Sequence, residues 1–256
     1  MSISLQGLGT RSTSYRLTTM SFQSCGVCVS NQICFLFSWL DSGPETYDEV
    51  APKIEYWIEL ALTKQFITVD KLVEDISALA WDTSCCPASF VRFLREFLDS
   101  PRRSTQARSF VGELCTRIFL WFAAASADDL YMDRYESSVT IGGGYGFVEA
   151  ALFVGHLIQR GLLDHDLVRL HLVKPLTAHY YFLPDTPAET VRANAICALF
   201  DVAGCTLVQG PLEPEDVRVC FEIMGAQSSR PGGIKELSAA RLEVRCFGPD
   251  TLIGAC

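Results

Sequence analysis

Apolar residues recur along most of this chain at the spacing of an α-helix, three or four residues apart. In one segment they occupy positions i, i+3, i+4, i+7 and i+8, which are Ile54, Trp57, Ile58, Ala61 and Leu62. This spacing places the apolar side chains on one helix face, which has to be buried against another element. The alternation typical of strands is nearly absent. The pattern therefore predicts an all-α protein.

Similar apolar stripes predict further helices in residues 69–80, 90–98, 111–122, 147–158, 166–173, 191–202, 217–224 and 234–244. Thr68 is a candidate N-cap and Gly161 a candidate C-cap. Every second helix is expected to start near Pro52, Ala88, Phe147, Ala188 and Ile234. Helix pairs that recur roughly every 40–47 residues are typical of HEAT and armadillo repeats, which stack into one continuous core. We predict an α-solenoid of about four to five antiparallel helix hairpins, interrupted by an insertion at 126–146.

Residues 1–45 differ in composition from the rest of the chain. They contain no acidic residue before Asp41 and are rich in serine and threonine. Their longest apolar run is far shorter than the roughly 20 residues that span a bilayer, and they lack the layout of a secretory signal. We interpret 1–45 as a flexible leader, with an organelle transit peptide as the alternative. The helical-repeat domain is predicted over 46–248, followed by a tail at 249–256.

The composition excludes several classes of protein. The chain is 49% hydrophobic and 20% charged, so it is not a disordered protein, and its net charge of −9 disfavours binding to DNA or to anionic membranes. Its eleven cysteines show no pairing framework, which indicates mostly reduced, buried thiols of a cytoplasmic protein.

No pattern predicts a catalytic residue, a metal site or a cofactor. Cys25, Cys28 and Cys34 have the spacing of half a zinc site, but the adjacent Cys85 and Cys86 are poorly placed to complete it. The glycine-rich stretch at 141–146 matches neither phosphate-binding fingerprint, so we interpret it as a hinge or a flexible loop.

The histidines receive structural interpretations. His171 falls on the apolar side of its predicted helix and is expected to be a buried, hydrogen-bonded residue. His156 shares a polar stripe with Glu149 and Arg160 and is expected to face solvent.

One stretch, at 92–117, is locally basic, with six arginines and three acidic residues. Guanidinium groups there could bind phosphates or carboxylates. The candidate residues for binding a partner or RNA are Arg92, Arg95, Arg102, Arg103 and Arg108. The alternative is a solvated helix face whose charges pair at i, i+4. The acidic segment 128–136 is either a contact loop for a basic partner or disordered.

The segment Phe153-Val-Gly-His-Leu-Ile-Gln-Arg-Gly-Leu-Leu163 resembles a hallmark of the middle domain of eukaryotic translation initiation factor 4G. In that family a helix carries a Phe-Ile/Val-Gly-Glu-Leu core, and His156 stands here at the position of the glutamate. Residues 195–204 look like the family's next long helix, and the similarity covers 52–224. The resemblance implies a HEAT-type fold, a role in translation initiation or mRNA metabolism, and a DEAD-box helicase as protein partner, with RNA as a further ligand.

Together these observations predict a non-catalytic interaction scaffold that binds a protein partner of the helicase type, with RNA contact as a subsidiary hypothesis. A generic armadillo-type adaptor without an RNA role is the alternative, and the acidic charge favours it. An all-helical enzyme with an unrecognised pocket is the third interpretation.

Overall fold

A computed structural model describes residues 26–42, 46–81, 86–101, 103–127, 146–173, 187–210, 213–219 and 222. Of the described residues, 86% are helical and none lies in a strand, so the all-α prediction is confirmed for them. The segment 128–136, the glycine-rich stretch 141–145, the predicted helix at 234–244 and the tail 249–256 lie outside the described residues.

Eight helices are numbered here in chain order. They are α1 (Gly26–Ser42), α2 (Tyr47–Thr63), α3 (Val69–Ser77, continued by a 3-10 turn at Ala78–Trp81), α4 (Pro87–Asp99), α5 (Thr105–Ala127), α6 (Gly146–Gln159), α7 (His165–Val168, continued by a π-helical turn at Arg169–Val173) and α8 (Pro187–Gln209). A further helical stretch covers 214–219.

Local sequence signals set several of these helix ends. Thr68 precedes α3 and its side chain accepts a hydrogen bond from the Lys71 backbone N–H at 3.2 Å, as expected for an N-cap. Gly161 has φ +63°, and the Leu162 N–H donates to the Leu157 carbonyl at 2.9 Å after α6. A residue at positive φ with this bond is the Schellman arrangement, in which glycine avoids the strain of a side chain. Both predicted caps are confirmed.

Phenylalanine rings join three helices in the core. Phe90 of α4 stacks on Phe37 of α1 with ring centroids 4.2 Å apart, and meets Phe153 of α6 edge-on at 5.0 Å. Phe93 meets the other side of Phe37 at 5.2 Å, also edge-on. All four rings are almost completely buried. Helix α4 therefore lies between α1 and α6, and these rings fix its position.

Gly155 marks the close approach of α6 to α8. A β-carbon at this position would lie 3.1 Å from Val202 Cβ and 3.4 Å from the Leu199 carbonyl oxygen. Because Gly155 has no side chain, the backbones of α6 and α8 can approach each other closely here. Elsewhere α1 packs against α2, α3 and α4, and α5 packs against α2, α3, α4 and α6.

The predicted leader has to be shortened, because Gly26–Ser42 forms helix α1 and belongs to the folded domain. Its apolar side is buried in the core, with Val29, Ile33, Leu36, Phe37 and Leu40 all at most 5% exposed. Ser30, also buried, donates from Oγ to Asp75 Oδ2 of α3 at 2.6 Å, which fixes α1 against α3. The helical domain therefore begins before residue 46.

Two histidine predictions also require correction. His171 is exposed, because the helix continues beyond Val168 as a wider π turn that moves this position away from the apolar side. His156 is half-buried rather than solvent-facing, because α6 packs against α4, α5 and α8 at once. Burial lowers the pKa of His156 below its usual value of 6.5.

The cysteine prediction holds only in part for the six cysteines that the structure describes. Cys115 and Cys197 are buried and Cys34 is partly buried, whereas Cys28, Cys86 and Cys205 are exposed. Burial raises the thiol pKa of Cys34 to about 11, of Cys115 to about 12 and of Cys197 to about 11. These three thiols stay protonated at neutral pH and are therefore weak nucleophiles and poor metal ligands.

Candidate interaction surfaces

The arginines of α4 lie on its exposed face and pair within their own helix. Arg92 Nε is 2.8 Å from Glu96 Oε1, and Arg95 Nε is 3.0 Å from Asp99 Oδ2, both at i, i+4. Exposed pairs of this kind contribute only about 0.3–0.5 kcal/mol each. The two guanidinium groups are thus already matched with carboxylates, as the structural alternative for this stretch predicted.

Glu96 also connects α4 to the start of α2. Tyr47 Oη donates to Glu96 Oε2 at 2.7 Å, and Arg92 Cζ lies 3.9 Å from the centroid of the Tyr47 ring. Partial burial alone would raise the pKa of Glu96, but hydrogen bonds from Arg92 and Tyr47 outweigh it and lower that pKa. Partial burial and the bond to Glu96 raise the pKa of Tyr47. The carboxylate therefore stays ionised between its two donors.

Arg103 lies in the α4–α5 turn and reaches back to α2. Its side chain is only 14% exposed; it forms an ion pair with Glu55 and a longer one with Glu59, Nη1 to Oε1 at 3.9 Å. Its guanidinium carbon lies 4.4 Å from the centroid of the Phe97 ring. Next to it, Ser104 Oγ donates to Glu59 Oε2 at 3.2 Å. We call these five residues the Arg103 clamp, because they tie α2 to the turn between α4 and α5.

The clamp is not fully hydrogen-bonded. Arg103 Nε and Glu59 Oε1 are buried and have no hydrogen-bond partner among the described residues. Buried charges without complete hydrogen bonding cost free energy, which their mutual attraction has to offset. The net contribution of the clamp therefore depends on all of its members being present.

The remaining arginines of the basic stretch lie apart from the clamp. Arg108 is exposed on α5, and Arg117 Nη2 is 3.6 Å from Asp70 Oδ1 of α3. Arg102 lies outside the described residues. Among the candidate residues, Arg92, Arg95 and Arg103 have carboxylate partners, which favours the structural interpretation of this stretch over a continuous basic surface.

An open groove follows the solvent side of α5. It has a volume of about 560 Å³ and is lined by Gly112, Glu113, Thr116, Arg117, Leu120 and Trp121. Leu120 is 41% exposed and Trp121 is 39% exposed, whereas a β-carbon at Gly112 would meet no atom within 4 Å. We call these six residues the α5 groove. Aromatic residues such as tryptophan are enriched in protein interfaces.

The α5 groove is not among the predicted sites, although the sequence contains a signal for it. The buried stripe of α5 includes Leu114, Ile118 and Phe122. Leu120 and Trp121 fall outside that stripe, on the side where polar residues are expected. Large apolar residues on the polar side of a predicted helix are a mark of a contact surface.

Other kinds of site receive no support from the described residues. No group of three or more histidine, cysteine, aspartate or glutamate residues in that part of the chain is arranged to hold a metal ion. No described helix combines the length and hydropathy needed to cross a membrane. Comparison with known proteins found no matching family model, no matching curated protein and no matching solved structure.

Proposed function

We propose that this protein is a non-catalytic helical interaction scaffold that binds a protein partner through the α5 groove. The single observation that carries the proposal is the exposure of Leu120 and Trp121 in one groove with Gly112 on the solvent side of α5. Tryptophan is among the residues that contribute most of the binding free energy in protein interfaces.

The resemblance of 153–163 to the initiation factor 4G middle domain supports a more specific form of the proposal. In this form the helices stack as an α-solenoid of HEAT type, the protein acts in the cytoplasm in translation initiation or mRNA metabolism, and the partner is a DEAD-box helicase. The tight contact at Gly155 between α6 and α8 gives the glycine of that segment a structural reason.

RNA contact is the subsidiary part of the proposal. The net charge of −9 and the carboxylate partners of Arg92, Arg95 and Arg103 favour a protein partner over RNA. RNA contact is tested by filter binding at low salt, in which the unaltered chain is compared with an Arg95→Ala/Arg108→Ala variant that leaves the Arg103 clamp in place. RNA contact is supported if the variant retains less RNA than the unaltered chain and its RNA binding depends less on salt. It is contradicted if the unaltered chain retains no RNA.

The main test is direct binding of the full chain to a purified initiation-type DEAD-box helicase. We expect Leu120→Ala/Trp121→Ala to weaken this binding at least tenfold, because truncating two central anchors removes on the order of 2–4 kcal/mol. Tyr56→Ala on α2 is the matched control, since Tyr56 is also an exposed aromatic residue but lies outside the groove. Equal affinity of the groove variant and the control contradicts the proposed docking surface.

The second candidate function is a generic armadillo-type adaptor without an RNA role, which is favoured by the net charge of −9. It predicts that the helicase does not bind, while an unrelated partner binds in a manner that depends on Leu120 and Trp121. The two candidates share the groove and differ in the identity of the partner.

A further inference from the structure

The residues of the α5 groove form two rows on the helix surface, with members four residues apart in each row. The rows are Gly112, Thr116 and Leu120 on one side and Glu113, Arg117 and Trp121 on the other. Rows at this spacing are the ridges by which helices pack, and the space between two of them accepts a ridge of a second helix. An extended segment is bound most directly at the edge of a sheet, and none of the described residues lies in a strand. The groove therefore fits a helix.

The two ends of the groove differ in shape. Leu120 and Trp121 end the rows with large, exposed apolar side chains. At the other end, a β-carbon at Gly112 would meet no atom of the described residues within 4 Å, so a partner can approach the backbone of α5 closely there. Each row extends over about two turns of α5, or about 12 Å. The partner therefore has to present an apolar helix face of similar length.

The charges beside the groove favour a basic partner. Arg117 Nη2 is 3.6 Å from Asp70 Oδ1 of α3, and the Asp70 side chain is 84% exposed. Glu113 adds a second carboxylate on the same row as Arg117, while Lys71 is paired with other carboxylates of its own helix. Two carboxylates thus accompany one guanidinium group, and the net charge of −9 attracts a basic partner from a distance.

We propose that the α5 groove binds a basic amphipathic α-helix. Its apolar ridge lies between the two rows of the groove, and its lysine or arginine side chains face Asp70 and Glu113. The inference rests on the proposed function, because it specifies the chemistry of the partner that docks in the same groove. Helices bound in this manner contact the groove through side chains at i, i+3 or i+4, and i+7. An acidic helix would instead place carboxylates against Asp70 and Glu113, which would repel them.

The test uses a fluorescein-labelled peptide of about 18 residues, roughly five helical turns, in which leucines occupy one helix face and lysines the other. In a first control peptide the same leucines and lysines alternate strictly, which favours a strand. In a second control peptide glutamate replaces every lysine. Binding to the full chain is followed by fluorescence anisotropy at physiological salt. We expect saturable binding of the leucine–lysine helix and at least about tenfold weaker binding of both controls.

Variants of the chain locate the bound peptide. Leu120→Ala/Trp121→Ala should weaken binding about tenfold or more because it removes the apolar end of both rows, and Gly112→Leu should do so because it fills the space between them. Far-UV circular dichroism checks that Gly112→Leu remains folded, as its open position predicts. Asp70→Asn should weaken binding about two- to fivefold. Asp48→Asn is the matched control, since Asp48 is also an exposed carboxylate in the first turn of its helix.

Each element of the inference can be overturned. Equal binding of the alternating peptide would exclude a helical partner, and equal or tighter binding of the glutamate peptide would exclude a basic one. The inference is also wrong if the leucine–lysine peptide does not bind, or if Leu120→Ala/Trp121→Ala and Gly112→Leu leave its binding unchanged. If the peptide does not bind but helicase binding depends on Leu120 and Trp121, the proposed docking surface stands and only its helical occupant is excluded.

Discussion

Replacing Arg103 with alanine should destabilise the fold far more than replacing the other arginines of the basic stretch. The change removes the ion pairs to Glu55 and Glu59 and the contact with the Phe97 ring. Hydrogen bonds to a charged group contribute about 1.5–3 kcal/mol, and a partly desolvated cation–π contact adds about 1 kcal/mol. Because Glu55 and Glu59 keep some contact with solvent, we expect a loss of about 2–3 kcal/mol in the free energy of unfolding.

The assay is urea unfolding followed by far-UV circular dichroism, with Arg95→Ala as the matched control. Arg95 pairs with Asp99 on an exposed helix face, so its loss should cost at most about 0.5 kcal/mol. Arg103→Lys keeps the charge but loses the planar group, and should fall between the two.

A double-mutant cycle with Glu55→Gln then measures the coupling between Glu55 and Arg103. We expect a coupling free energy of at least about 1 kcal/mol, since the two side chains are in direct contact. If Arg103→Ala and Arg95→Ala are equally stable, the clamp does not hold α2 to the turn and this reasoning fails.

Three further predictions follow from other parts of the fold. Gly161→Ala should lower the free energy of unfolding by about 1 kcal/mol because Gly161 has a positive φ. Gly112→Ala should raise the free energy of unfolding by about 0.5–1 kcal/mol because Gly112 lies at an open helical position. Urea midpoints that move in the same direction for both variants would contradict this. Phe90→Ala should lower the free energy of unfolding by about 3–5 kcal/mol in the same assay, because Phe90 contacts rings of both α1 and α6. A decrease below about 1 kcal/mol would contradict the role of Phe90 in joining these helices. Burial lowers the pKa of His156, so the unfolded chain binds its proton more readily and stability should fall as the pH drops below 6.5. His156→Gln should flatten this dependence in pH-resolved thermal unfolding, and an unchanged slope would show that His156 does not cause it.

Patterns local in sequence predicted most of the described helices. Three features could be predicted because each depends on residues that are neighbours within about one helical turn. They are the apolar stripes of α2 to α6, the N-cap at Thr68 and the turn at Gly161. Helix α1 was missed for a different reason. Val29, Ile33 and Phe37 already have helical spacing, but the acid-poor composition of the preceding residues led to their assignment to the leader.

The candidate sites depended on tertiary contacts that sequence spacing does not encode. The partners of Arg103 lie more than forty residues earlier in the chain, and only the packing of α2 beside the α4–α5 turn brings them together. The exposure of Trp121 likewise depends on which side of α5 the other helices cover. The pairing of Arg92 with Glu96 could be predicted, because both lie on one helix at i, i+4.

The most direct test of the proposed docking surface is hydrogen exchange of the full chain with and without the DEAD-box helicase. We expect slower exchange at 112–121 on α5 when the helicase is bound, with exchange in α1 unchanged. Protection confined to α4 around Arg92 and Arg95, or no protection on α5 in a saturated complex, would contradict it.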